Sequence, residues 1–140
     1  MADTGAAGTP AAATVRQWAN AVLDGEGVAG AAISITFLSG PRMRGLNRRA
    51  LGRDRATDVI AFPLEHLGTV AGDVYVCPSV ARRSALAAGV PEREEVLRLV
   101  VHGILHVLGH EHPEGKGRSG SAMWRRQERY VREISSGRGG

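Results

Sequence analysis

Apolar residues recur along the chain with two periods. Val15, Trp18, Ala19 and Val22 fall at spacings of three and four, which predicts a helix over 14–25 with Gly25 placed to end it. Residues 31–39, AAISITFLS, are β-branched and apolar with Ser and Thr interspersed, and predict a strand. A helix over 41–52 opens on Pro41 and closes on Gly52, with Met43, Leu46, Ala50 and Leu51 on the inward side. Two further strands are predicted over 58–64 and 72–78, with Pro63 near the end or on an edge of the first. SVARRSALAAG, 79–89, has a Ser to cap a short helix and a Gly to end it.

The strongest helical pattern runs over 91–109. Pro91 stands at its start, and Glu92, Glu94 and Glu95 complement the positive end of the helix dipole. Val96, Leu97, Val100, Val101, Ile104, Leu105 and Leu108 give it so broad an apolar surface that it is expected in the core. A loop over 109–120 leads to a last helix over 121–135, with Met123, Gln127, Tyr130 and Ile134 along one side. Residues 1–12 are small, polar and proline-containing and read as a flexible lead-in, and 136–140 as a flexible tail. The expected domain therefore covers 13–135, and no internal repeat interrupts it.

Composition narrows the class. A chain of 140 residues suits one domain with a single core. Aromatic residues make up only 4%, so Val, Leu, Ile and Ala must fill that core. No apolar run is long enough to span a membrane, and the first thirty residues carry no secretory pattern, so a cytoplasmic location is the expectation. Cys77 is the only cysteine, which excludes an intrachain disulfide. It is expected as a small buried hydrophobe, with a nucleophilic or metal-binding role as the alternative. The net charge is +4, and Arg42, Arg44, Arg48, Arg49, Arg53 and Arg55 crowd residues 42–55 against the single acid Asp54. Such a patch favours a polyanion, although a merely solubilising face has the same composition.

Four of the five histidines lie between residues 102 and 112. Positions four apart on a helix lie one turn above each other, so His102 and His106 point side by side and can share an ion. Gly109 can end the helix in a left-handed cap and turn the chain so that His112 reaches the same ion. Burying two histidines on so apolar a helix is costly unless both are coordinated or hydrogen-bonded. Three imidazoles with a fourth position open describe a catalytic rather than a structural zinc site. His110 is expected as an exposed bystander, and His66 as a loop residue.

The spacing H-x3-H-x2-G-x2-H equals that of metzincin proteases, in which a Glu follows the first His and serves as general base. Gly103 holds that position here and cannot move a proton. A zinc protease is therefore a remote alternative. A bound metal still acidifies its water and polarises a phosphoryl oxygen, and arginines nearby would stabilise the resulting anion.

HGILHVLGHEH resembles the H-G-x-L-H-L-x-G-y-D-H signature of the YbeY family of bacterial endoribonucleases. Leu46–Asn47, the TDVIAFP block at 57–63, GDVYV at 72–76, and Met123 with Glu128 resemble further family segments in the same order. The resemblance runs from about residue 30 to 134. It implies a single-domain α+β fold: a small mixed sheet of three to four strands packed by helices, with a zincin-like metal helix followed by a loop ligand. It also implies one Zn2+ per chain on His102, His106 and His112. The implied activity is single-strand-specific endoribonuclease cleavage in small-subunit rRNA 3′-end maturation and ribosome quality control, with rRNA and a ribosomal subunit as partners.

Three features depart from the family pattern. Ala50 and Leu51 stand where the family has Tyr-Arg, so Arg49 or Arg53 is the substitute candidate for phosphate contact. His110 and Glu111 replace the usual Tyr and Asp. Residues 1–12 show no pattern for the family's N-terminal strand. A ribosome-binding assembly factor with vestigial catalysis is the alternative that the missing arginine raises. No protein general base is assigned; the metal-bound water is the expected source of chemistry.

Overall fold

A computed structural model describes residues 6–66, 68–110 and 122–137. Its elements in chain order are α1 (Ala12–Gly25), β1 (Ala32–Phe37), α2 (Gly40–Leu51), β2 (Val59–His66), β3 (Thr69–Val76), α3 (Pro78–Ala88), α4 (Glu92–Val107) and α5 (Ala122–Ser135). The fold is α+β. The three strands form one mixed sheet in the order β1-β3-β2, with β3 central, parallel to β1 and antiparallel to β2.

Each face of the sheet has its own apolar layer. Ile35 and Phe37 of β1 and Val74 and Val76 of β3 point to the layer that holds α1, α4 and α5. Those four side chains are almost wholly buried, as are Val96, Val100, Val101, Ile104 and Leu105 of α4. Burying each such side chain is worth about 1.5–3 kcal/mol, so this layer dominates stability. Ile60 and Cys77 point the other way, with Phe62 and Tyr75 at the margin, and meet Met43 and Leu46 of α2. Period-2 alternation along β2 and β3 sends their residues to both layers.

The described helix ends follow local chemistry. Ser39 accepts a hydrogen bond from the Arg42 N–H and caps α2, which stops at Gly52 with φ 71°. α3 begins two residues earlier than the Ser79 cap predicts. Pro78 supplies a preset φ at the first turn, Cys77 takes the cap position, and the Ser79 hydroxyl lies 3.3 Å from the Cys77 sulfur. Cys77 itself is fully buried.

Other details depart from the pattern-based expectations. β2 and β3 extend toward each other into a hairpin, with His66 opposite Thr69 in the register and Gly68 at φ 78°. His66 thus ends a strand rather than lying in a loop. A left-handed glycine is what a two-residue hairpin link demands, and Gly68 supplies it. On α2, Ala50 and Leu51 do not face inward; Leu51 is 50% exposed and Asn47 is buried in their place. In the lead-in, Ala6 is buried in the main core and Thr9 donates its hydroxyl hydrogen to the Ala6 carbonyl.

Candidate metal centre and cleft

α4 carries the histidine pair, and close packing fixes where that helix lies. A Cβ on Gly103 would run into the Val74 side chain of β3. A Cβ on Gly72 of β3 would meet Val107 of α4 at 2.6 Å. These two small-against-large contacts, one turn apart on α4 and two residues apart on β3, seat the helix hard against the central strand. Gly103 thus faces the sheet.

The His102 and His106 rings stand together, with centroids 4.6 Å apart and planes at 72°. After them α4 closes in a Schellman motif: the Gly109 N–H donates to the His106 carbonyl and the His110 N–H to the Leu105 carbonyl, each at 3.0 Å. Gly109 has φ 96°, the left-handed conformation that the sequence pattern demands there. The chain leaves α4 within one turn of His106. His112, the third expected ligand, lies outside the described residues. Among the described residues, no group of three or more His, Cys, Asp or Glu side chains is placed to share an ion.

The donor set fits a divalent metal at one telling point. His102 Nδ1 lies 2.7 Å from Gln127 Oε1 of α5. Gln127 is buried, and its amide nitrogen donates to Glu128 Oε2 at 3.0 Å, which turns its carbonyl oxygen toward the histidine. An oxygen can only accept, so His102 carries its proton on Nδ1 and its lone pair on Nε2. Metal-binding histidines are held in this way by an acceptor on the far nitrogen.

The support continues outward. Arg98 of α4 donates to both Glu128 oxygens at 2.8 and 2.9 Å, and to Glu95 and Glu94 at 2.8 and 3.2 Å. Burial alone would raise the Glu128 pKa, but the hydrogen bonds from Arg98 and Gln127 outweigh it and hold the carboxyl below its ordinary value. Arg98 was not legible as a site residue in the sequence. Gln127 left one signal, a polar residue within an apolar stripe.

A cleft runs past the pair in two halves that share Val59 and His102. One half brings Asn47, Leu51, Arg53 and Thr57 to His102 and His106. The other is lined by Asp58, Glu95, Arg98, Trp124 and Gln127. Of the two candidate phosphate contacts, Arg53 lies in the cleft. Arg49 lines a separate groove with Leu38 and Tyr75. Arg44 is taken by Asp54 in a two-pronged pair at 2.8 and 3.0 Å. Asn47 donates to the Arg55 carbonyl at 3.0 Å and so ties the 52–58 turn to α2.

His110 has another engagement. Its Nε2 lies 2.7 Å from Glu26 Oε1, at the end of α1. Glu26 also accepts from Arg126 at 2.9 Å and from the Tyr130 hydroxyl.

Comparison with known proteins agrees with this architecture. The family model described as Endoribonuclease YbeY matches residues 5–135. The Endoribonuclease YbeY of Thermotoga maritima is 34% identical over 102 residues, covering 73% of this chain and 67% of that protein. That of Aquifex aeolicus is 35% identical over 120 residues, covering 84% and 79%. A Thermotoga maritima protein solved in solution superposes with a TM-score of 0.68 at 28% identity, covering 89% of this chain and 81% of that one. With a family match across residues 5–135, and relatives of that family 34–35% identical over most of its length, the chain belongs to the endoribonuclease YbeY family.

Proposed function

We propose that this protein is a zinc-dependent endoribonuclease that cuts single-stranded RNA. Its place is small-subunit rRNA 3′-end maturation and ribosome quality control in the cytoplasm, with a ribosomal subunit as partner. The observation that carries this reading is the His102–Gln127 hydrogen bond. It commits a buried amide to presenting His102 Nε2 beside His106, at a cleft that also holds Arg53. His102, His106 and His112 would hold one Zn2+ per chain. When bound, such an ion polarises a phosphoryl oxygen and acidifies water.

The remaining work belongs to the chain's own side chains. Gln127 orients His102, and Arg98 and Glu128 orient Gln127. Arg53 holds a backbone phosphate in the cleft and neutralises charge that develops there. Gly103 leaves no room for the glutamate that a metzincin protease uses at that position, which favours phosphodiester over peptide substrates.

The test is incubation of purified protein with single-stranded rRNA fragments, with and without chelator, alongside His106→Ala. Cleavage is expected to vanish in both. Cleavage that survives both would overturn the metal-dependent reading. Metal analysis should find about one zinc equivalent per chain, lost in His112→Ala. Leu51, at the family's arginine position, favours a second reading as a ribosome-binding assembly factor. Co-sedimentation with ribosomal subunits that His102→Ala leaves intact, in a protein that cuts no RNA, would select that one.

A further inference from the structure

The two halves of the cleft differ in charge, and the difference says what each would take. The half beside His106 is lined by Arg53 and, among its described lining residues, by no acid. The half beyond His102 carries the carboxylates of Asp58 and Glu95. The only cation among its described lining residues, Arg98, is already engaged by Glu94, Glu95 and Glu128. A phosphate is therefore attracted to the first half and repelled from the second.

The acidic half also holds an aromatic surface. The chain has two tryptophans. Trp18 is 5% exposed in the core, whereas Trp124 is 42% exposed on α5, facing the cleft beside His102. Each carboxylate commits one oxygen locally: Asp58 Oδ1 accepts from the Val59 N–H at 2.8 Å and Glu95 Oε1 from Arg98 at 2.8 Å. The second oxygen of each remains an acceptor. A flat π-surface, flanking acceptors and a repulsive field for phosphate together describe a pocket for an unpaired base.

We propose that this half of the cleft is a nucleobase subsite. A base next to the phosphate held at Arg53 stacks on Trp124 and donates its exocyclic amino group to Asp58 or Glu95. Cytosine, adenine and guanine carry such a group; uracil has none, and its one donor on that edge, N3–H, is flanked by two carbonyl oxygens that the carboxylates repel, so it is disfavoured. The subsite rests on the endoribonuclease reading for its substrate and adds to it a sequence preference.

The probes are 2′-O-methyl hexamers of cytidylate and uridylate, titrated into the zinc-loaded protein with their integrity checked on a denaturing gel. Because Trp18 is buried, quenching of tryptophan fluorescence reports Trp124. The cytidylate hexamer should quench it and bind several-fold tighter than the uridylate one. By anisotropy of labelled probes, Trp124→Ala should weaken binding about tenfold, and Trp124→Phe should restore most of it. Asp58→Asn combined with Glu95→Gln should abolish the preference while quenching persists. Absence of quenching, or equal affinities in wild type and Trp124→Ala, overturns the subsite. Cleavage of natural single-stranded RNA is assayed in parallel. Cleavage without the Trp124 effects leaves the endoribonuclease reading standing and removes the subsite. Quenching with base preference but no cleavage does the reverse.

Discussion

Gln127 sits in the apolar stripe of α5 and spends both ends of its amide on charged or functional neighbours. Its removal tests the tautomer argument directly. Gln127→Ala takes the acceptor from His102 Nδ1 and should lower zinc affinity about 10- to 100-fold, measured by competition with a chromophoric chelator. Gln127→Glu restores an acceptor and should recover most of the affinity. A loss of melting temperature in Gln127→Ala with zinc affinity unchanged would reduce the residue to a packing role. The histidine spacing was readable because i and i+4 on one helix are neighbours by geometry alone. Gln127 was readable only as an oddity, since its partner lies 25 positions away and the contact depends on how α5 crosses α4. The distinction between Arg49 and Arg53 was illegible for the same reason. Both are arginines near the end of α2, and only the turn after Gly52, tied down by Asn47, sends Arg53 to the histidines.

At the level of elements, Gly103 changes meaning. Read along the chain, it is a proton-transfer residue that is missing. In the fold it is the point at which α4 touches β3, with Gly72 and Val107 making the reciprocal contact one turn on. A methyl at 103 overpacks that seam, and Gly103→Ala should destabilise by about 1–3 kcal/mol. In a domain of this size that is a fall of several degrees in melting temperature. Pairing it with Val74→Ala should recover part of the loss, because the truncated side chain vacates the space that the new Cβ needs. Additive losses in the double variant would show that the two residues do not share the seam. Helix periodicity located α4 well, since Glu-rich first turn, apolar face and Gly109 all agree. It located β2 and β3 less well, because their hairpin depends on Gly68 and on pairing between strands, and alternation within one strand carries neither.

Across the whole molecule, the contact farthest from legibility is Glu26. It lies just past α1, its side chain is 7% exposed, and it gathers His110 from beyond α4 with Arg126 and Tyr130 from α5. Gly25 beside it has no side chain, and a Cβ there would collide with the Tyr130 ring. Three segments separated by up to 104 positions thus meet at one carboxylate. A sequence pattern marks Glu26 as a polar residue after a helix and nothing more. Burial pushes its pKa up, but hydrogen bonds from Tyr130, His110 and Arg126 outweigh that and hold it below the ordinary 4.5. A carboxyl whose pKa is depressed on folding contributes stability that is fully present above its unfolded value and is lost as pH falls through the folded one. Glu26→Gln, which keeps the shape but not the charge, should therefore cost about 2 kcal/mol at neutral pH. The gap in unfolding free energy between wild type and variant should narrow as the pH drops below 4.5 and through the folded pKa. Urea titrations of both proteins at pH 7, 5, 4 and 3 would measure it. A gap that stays constant across that range would mean that the node acts through packing alone. A gap that closes in acid would identify Glu26 as the ionised clasp joining the α1 end, the α4 exit and α5.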